Sequence, residues 1–267
     1  MKNKSSLKGI RFIRFLARYL PAVRGRDIIL VKLSNALNKK WPEQEIFVSQ
    51  SGLMYELDLT DPNYRSFYLF GFLEKDLTWV IDHLISKDDI VIEGGAGVGI
   101  FTVMFASGVG SGGQVHAFEP LPAAYHRAHR NVLINGLDNV FLNRIALGER
   151  KGYANVYWFS NLPQGHASLV NLLPELSQGF MCEVTTVDSY CRERAVRRVD
   201  FIKLDVEGSE LPALRGSIET IEKWHPVVVV EANLETSAAF GYKPSDIISW
   251  FAKFDYSCLC YEEANVV

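Results

Sequence analysis

The stretch Ile90-Val91-Ile92-Glu93-Gly94-Gly95-Ala96-Gly97-Val98-Gly99-Ile100-Phe101-Thr102 constrains the fold more than any other part of the chain. A short apolar run enters a turn with glycine at alternate positions, and helix-compatible residues follow. Glycine there permits positive φ and close approach of backbone to a ligand. The helix N-terminus behind it offers free N–H groups to an anionic group. The same alternation continues downstream. Strands are expected at Asp89–Glu93, Gln114–Glu119, Asn139–Leu142, Phe201–Asp205, Val227–Glu231 and Tyr256–Tyr261, with helices from Ile100 and over 122–135, 209–223 and 244–253. Strands separated by such helices predict βαβ units and a doubly wound, parallel α/β sheet. Right-handed crossovers bring Glu93, Glu119, Asn143, Asp205 and Glu231 to the sheet edge where ligands of these folds bind. Residues 153–187 read as loops and short strands.

The turn spacing discriminates between ligands. The dinucleotide pattern G-x-G-x-x-G fails in every register, because the third position falls on Ile100 counted from Gly95 and on Thr102 counted from Gly97. The phosphate loop G-x-x-x-x-G-K-[ST] fails because Ile100 follows Gly99. Glu-x-Gly-x-Gly-x-Gly over residues 93–99 does fit. A second acid, Glu119, closes the next strand in Ala117-Phe118-Glu119-Pro120, where a carboxylate can accept hydrogen bonds from both hydroxyls of a ribose. A third block, Ile202-Lys203-Leu204-Asp205-Val206-Glu207-Gly208-Ser209-Glu210, gathers three acids and a lysine where a later strand meets its helix.

The glycine turn resembles motif I of class I S-adenosylmethionine (SAM)-dependent methyltransferases. Together with the blocks at 117–120 and 202–210, it makes the chain resemble the FkbM family over roughly residues 50–261. Supporting pieces lie at Gly71–Glu74, Asn131–Asn135, Ala146-Leu147, His166–Leu169 and Thr186–Asp188. The resemblance implies a Rossmann-like class I methyltransferase sheet, SAM as cofactor, and O-methylation of a hydroxyl on a carbohydrate or natural-product acceptor. Carried over, Glu93, Gly95, Ala96, Gly97 and Gly99 would hold the methionine end of SAM. Glu119, with Pro120 beside it, would bind the ribose; Asn143 and Ala146 would border the adenine; Asp205 would sit beside the methyl group.

Methyl transfer is an in-line displacement that needs alignment and exclusion of water. An alcohol acceptor must also lose its proton. Asp205 and Glu207 are the leading base candidates, since neighbouring acids push one pKa upward. His166, in the loop 164–168, is a second candidate. Asp205, Glu231 and Asn233 end adjacent strands, but Glu231 and Asn233 are read as bonding to loops or substrate, and no metal ligand is assigned. The family turn usually reads Asp-x-Gly-Ala-Asn; here it is Glu93-Gly94-Gly95-Ala96-Gly97, which removes a side-chain amide.

The N-terminal region has a different character. Residues 6–20 place Leu7, Ile10, Ile13, Leu16 and Leu20 at helical spacing, with Phe12, Phe15 and Tyr19 widening the stripe. Lys8, Arg11, Arg14 and Arg18 take the other side of this basic amphipathic helix, and Pro21 ends it. Residues 46–60 predict a hairpin around Ser51-Gly52, and residues 66–86 a helix. The expected organisation is a basic arm (1–40), a hairpin and helix (41–75) and a methyltransferase domain (76–267). Residues 1–40 carry a net charge of +10 and the remainder −13. This asymmetry points to an anionic partner, either a membrane surface reached through residues 1–26 or nucleic acid, or to an arm packed on its own acidic body.

No apolar run approaches the roughly 20 residues needed to span a bilayer, and the first 26 residues lack the uninterrupted run of a secretory signal. Four cysteines without metal-type spacing are expected to be reduced thiols. A cytoplasmic protein, free or peripheral at the inner face of a membrane, follows. Class I sheets usually end in an antiparallel pair, yet a single strand is expected after helix 244–253. An open edge of that kind invites a homodimer. Two other functions stay open: a non-catalytic SAM-fold scaffold, and a nucleic-acid methyltransferase. Against the latter, Asp205 is followed by Val206-Glu207-Gly208 rather than by a proline-aromatic pair, and the acidic body repels phosphates.

Overall fold

The structure, a computed structural model, describes residues 4–19, 26–37, 41–159, 167–171 and 177–259. The chain divides into two compact units, Met1–Trp79 and Val80–Val267.

In the first unit α1 (Lys4–Tyr19), α2 (Arg26–Leu37), β1 (Glu45–Val48), β2 (Met54–Leu57) and α3 (Pro62–Phe70) follow in order. β1 and β2 form the expected hairpin, paired from Glu45↔Leu57 to Val48↔Met54. Alternation along the strands buries Phe47 and Tyr55 and leaves Ile46, Val48 and Met54 exposed. Phe47 meets Tyr68, and Tyr55 meets Phe67, edge-on with ring centroids 4.9 Å apart, the arrangement favoured by aromatic quadrupoles. α1 buries Ile10, Ile13 and Ala17. α2 was not anticipated, because its apolar residues do not keep to one face: Leu30 is buried, whereas Ile28, Ile29 and Leu33 are exposed.

The helix expected over 66–86 is instead two helices. Asp61 caps the start of α3 by accepting from Asn63 N–H at 2.8 Å. Gly71, at φ +87, ends it by donating to the Phe67 carbonyl at 2.8 Å, a left-handed stop that glycine adopts without penalty. A separate helix, α4 (Lys75–Leu84), follows.

The second unit contains β3 (Ile90–Gly94), α5 (Ile100–Val109), β4 (Gln114–Phe118), α6 (Pro122–Ile134) and β5 (Val140–Asn143). Then come β6 (Ala146–Leu147), β7 (Gly152–Phe159), β8 (Ala167–Ser168), β9 (Ser177–Thr185) and α7 (Val187–Glu193). The unit ends with β10 (Phe201–Leu204), α8 (Glu210–Arg215), α9 (Ile218–Trp224), β11 (Val227–Val230), α10 (Leu234–Ala239) and α11 (Pro244–Phe251). The main sheet has the order β11-β10-β3-β4-β5 and is parallel throughout. Its central strands β3, β4 and β10 are largely apolar and buried, as cover on both faces demands, with Glu93, His116 and Lys203 as buried polar exceptions. Chain order reverses between β3 and β10, so the glycine turn after β3 sits at the switch point, where open α/β sheets bind ligands.

Three local expectations are corrected. Residues 153–187 contain two long strands, β7 and β9, paired antiparallel from Gly152↔Val184 to Phe159↔Ser177. Their alternation is real but shallow: Val156 is buried while Tyr153 and Asn155 are exposed. The helix expected over 209–223 breaks into α8 and α9 at Gly216, where a Cβ would lie 2.2 Å from the Gly148 carbonyl oxygen. Residues 256–259 join no strand, and Leu259 is 95% exposed; the end of the expected segment lies outside the described residues. Tyr256 instead hydrogen-bonds the Pro226 carbonyl at 2.9 Å, and β11 is the sheet edge among the described residues.

Candidate functional site

The parallel sheet places Glu93, Glu119, Asn143, Asp205 and Glu231 at or just beyond the C-terminal ends of β3, β4, β5, β10 and β11. Three glycines of the turn have positive φ but different constraints. A Cβ on Gly95 (φ +76) would lie 1.7 Å from the Asp205 carbonyl oxygen, and one on Gly99 (φ +82) would lie 2.9 Å from the Ala128 Cα on α6. Both glycines therefore allow backbones to pack. A Cβ on Gly97 (φ +55) would meet nothing within 4 Å, so that position faces open space. Ala96 is buried, and its N–H shares the Phe118 carbonyl with Gly95 N–H, each at 3.0 Å. The buried Asn131 amide holds the turn from behind through the Val98 carbonyl at 2.8 Å.

Glu119 is 3% exposed and grips the same turn. One carboxylate oxygen accepts from Gly97 N–H and the other from Leu121 N–H, both at 2.8 Å. Burial nevertheless raises its pKa to about 8, against the lowering effect of these two hydrogen bonds. Pro120 beside it is partly exposed. Glu93 is fully buried, and burial raises it to about 7 against the pull of Lys203 and Thr102. Its Oε2 accepts from the Thr102 hydroxyl at 2.6 Å. Its Oε1 is buried with no hydrogen-bond partner, a costly state that a bound donor would relieve.

Lys203 stands out in the sequence block 202–210, but no role is assigned to it there. It stands opposite Glu93 in the β10–β3 register and is 3% exposed. Its Nζ donates to the Gly95 carbonyl at 3.1 Å and to Asp205 Oδ2 at 3.0 Å, and lies 5.4 Å from the centre of the Phe101 ring. One buried cation thus ties the glycine turn to Asp205 and offsets the charge of Glu93 and Glu119. The available signal was a lysine within the otherwise apolar run 201–204, since lysine is almost never buried unpaired.

Asp205 lies among further acids. Desolvation, followed by the charges of Asp205 and Glu207, raises Glu231 to about 8, although the residue keeps a solvent-exposed surface. Glu207 has φ +53, and the Ser168 hydroxyl donates to its carbonyl at 2.8 Å. A non-glycine residue in this conformation is strained, and such strain gathers at functional sites. Glu210, also without a role assigned from the sequence, is buried and folds the loop back: it accepts from Val206 N–H at 2.9 Å, Gly208 N–H at 3.1 Å and the Tyr242 hydroxyl at 2.9 Å. Asn233 uses its side-chain oxygen to cap α10, accepting from Glu235 and Thr236 N–H. The described residues include no group of three or more His, Cys, Asp or Glu side chains arranged to hold a metal.

The remaining candidates are distributed around this centre. Asn143 donates to the Ala117 and Phe141 carbonyls and to the Tyr190 hydroxyl, which also bonds His116 at 2.9 Å. Burial, then Arg194, lowers His116 to about 4, so it is neutral. Ala146, on β6, is buried against Val156, Cys182 and Val184. His166 lies outside the described residues. Cys182 and Cys191 are buried free thiols, and Cys258 is an exposed one.

The FkbM methyltransferase domain matches residues 93–258. The chain is 25% identical over 189 residues to methyltransferase sdnD of Sordaria araneosa, covering 60% of this chain and 71% of that protein. It is 24% identical over 164 residues to methyltransferase 1 of Beauveria bassiana, covering 54% of this chain and 64% of that protein. A crystal structure of methyltransferase FkbM from Methylobacillus flagellatus aligns with a TM-score of 0.44 at 16% identity, covering 93% of this chain. The chain spans about half the length of that structure, 52%. On the match across 93–258, the chain belongs to the FkbM family of SAM-dependent methyltransferases.

Proposed function

We propose that the protein transfers the methyl group of SAM to a hydroxyl oxygen of a carbohydrate or natural-product acceptor. The carrying observation is the juxtaposition, at one sheet edge, of a turn suited to the cofactor and an acid cluster suited to deprotonating an alcohol. The turn suits SAM on two counts: the unsatisfied buried Glu93 Oε1 awaits a donor, and the space at Gly97 admits a ligand against backbone. Glu93, Gly95, Ala96, Gly97 and Gly99 would hold its methionine end, Glu119 and Pro120 its ribose, and Asn143 with Ala146 would border the base. Bound SAM supplies an electrophilic methyl on a sulfonium centre.

The acceptor hydroxyl then needs a proton acceptor. Asp205 is tied down by Lys203, and its charge helps to hold a proton on Glu231, so the two acids titrate together. A carboxyl raised to about 8 is better matched to this work than an ordinary one. The charge of Glu207 also acts on Glu231, and His166, outside the described residues, stays a candidate on sequence grounds alone. A base works only when deprotonated, so kcat/KM should rise about tenfold per pH unit below pH 8 and level off above it. Glu231→Gln should abolish that limb.

The test incubates the protein with methyl-labelled SAM and a panel of hydroxylated sugars and natural products. Label in an alkali-stable ether is expected. Label only on amines, or SAM binding with no transfer to any hydroxyl, would overturn the assignment.

A further inference from the structure

α1 carries apolar residues on two opposite sides, and packing explains one of them. Ile10, Ile13 and Ala17 are buried. At about 100° per residue, Phe12, Phe15 and Tyr19 fall on the far side, where they are 60%, 54% and 73% exposed. The Phe15 and Tyr19 rings touch in a tilted arrangement, centroids 4.6 Å apart. The outer face of the β1–β2 hairpin adds Ile46 and Val48, 51% and 50% exposed. These two sets meet at a cavity of about 400 Å³ lined by Arg11, Arg14, Phe15, Tyr19, Ile46 and Val48. Aromatic and aliphatic groups therefore surround two guanidinium groups within one unit of the structure.

Both arginines are held in place. Arg14 lies 4.6 Å from the centre of the Phe47 ring and 4.5 Å from that of Tyr68, and it donates to the Val48 carbonyl. Arg11, 65% exposed, reaches Glu45 at 3.3 Å. The surrounding sequence is strongly cationic, with a net charge of +10 over residues 1–40. Scattered exposed apolar side chains are normal, but a contiguous patch is not.

We propose that this face of α1 and the hairpin docks on an anionic lipid bilayer. Phe12, Phe15, Tyr19, Ile46 and Val48 enter the headgroup–acyl boundary, and the exposed Arg11 meets lipid phosphate. Aromatic rings favour that depth, and long basic side chains reach from an apolar zone to charge at its edge. Positive charge selects an anionic bilayer over a neutral one. No helix of the described residues is long and apolar enough to cross a membrane, so the attachment lies in the interfacial plane. It goes beyond the methyl-transfer reading and stands or falls without it.

The test uses the full chain, without SAM, in cosedimentation with phosphatidylcholine vesicles prepared with and without phosphatidylglycerol. Binding to the anionic vesicles, weakened by salt, is expected. Phe12→Ser/Phe15→Ser/Tyr19→Ser should reduce it at least about tenfold with an unchanged melting temperature, because all three side chains are exposed. Arg11→Gln should weaken it less. Equal binding to both vesicle types, no binding, or undiminished binding by the triple variant would overturn the proposal. So would retention on single-stranded DNA with no vesicle binding.

Discussion

Gly95 and Gly97 stand two positions apart with similar backbone conformations, yet replacing each should have different consequences. At Gly95 a methyl group would overlap the Asp205 carbonyl oxygen, at 1.7 Å. Gly95→Ala should therefore cost more than about 3 kcal/mol of stability and spoil the fold locally. At Gly97 the added Cβ meets no protein atom, and the conformational penalty is only about 1 kcal/mol. Gly97→Ala should stay folded but bind SAM at least about tenfold more weakly, because the methyl occupies the ligand's space. Thermal melting and calorimetric titration with SAM separate the two effects. Unchanged affinity in Gly97→Ala would remove this space from the cofactor site. The glycine spacing was readable in the sequence, but the division of labour among the glycines was not. It depends on Asp205 and Ala128, which only folding brings alongside.

At the level of elements, β10 sets the electrostatics of the site. It buries four consecutive residues, Phe201 to Leu204, and its lysine faces the glutamate of β3. Breaking a buried charge pair by removing one partner is strongly destabilising. Lys203→Met should thus lower stability by about 3 kcal/mol at about pH 9, above the folded values of Glu93 and Glu119, and by less at about pH 6, where both carry protons. Urea unfolding at the two pH values tests this, and equal losses at both would refute the coupling. The parallel strands were legible because each is a compact, mainly apolar run, and β3, β4, β10 and β11 end at or beside an acid. β7 and β9 were not, because their alternation is interrupted by half-buried aromatics such as Tyr157 and Trp158, and the pairing partner is distant in sequence. The break between α3 and α4 was written in Gly71, which periodicity alone overrode.

Across the whole molecule, buried acids make stability depend on pH in an unusual direction. Glu93 and Glu119 have folded pKa values of about 7 and about 8, above the unfolded value of about 4.5 that both groups start from. The folded state holds its protons more tightly, so this stabilisation is fully present at low pH and lost as pH rises through the folded values. His116, lowered to about 4, acts in the opposite sense, but only below its unfolded value near 6.5. Between pH 6.5 and 8 the acids therefore dominate. The ligand-free protein should lose about 2 kcal/mol, or roughly 5 °C in melting temperature. Glu119→Gln should remove more than half of that fall, and a melting temperature rising across this interval would refute the reading.

The sequence by itself determined the parallel sheet, the glycine turn at its switch point and the row of strand-end acids, because those features are encoded in contiguous residues through periodicity and spacing. Folding alone settled which glycine faces open space and that Lys203 bridges the turn and Asp205. Each of these depends on atoms from separate segments sharing one volume, which no local pattern records.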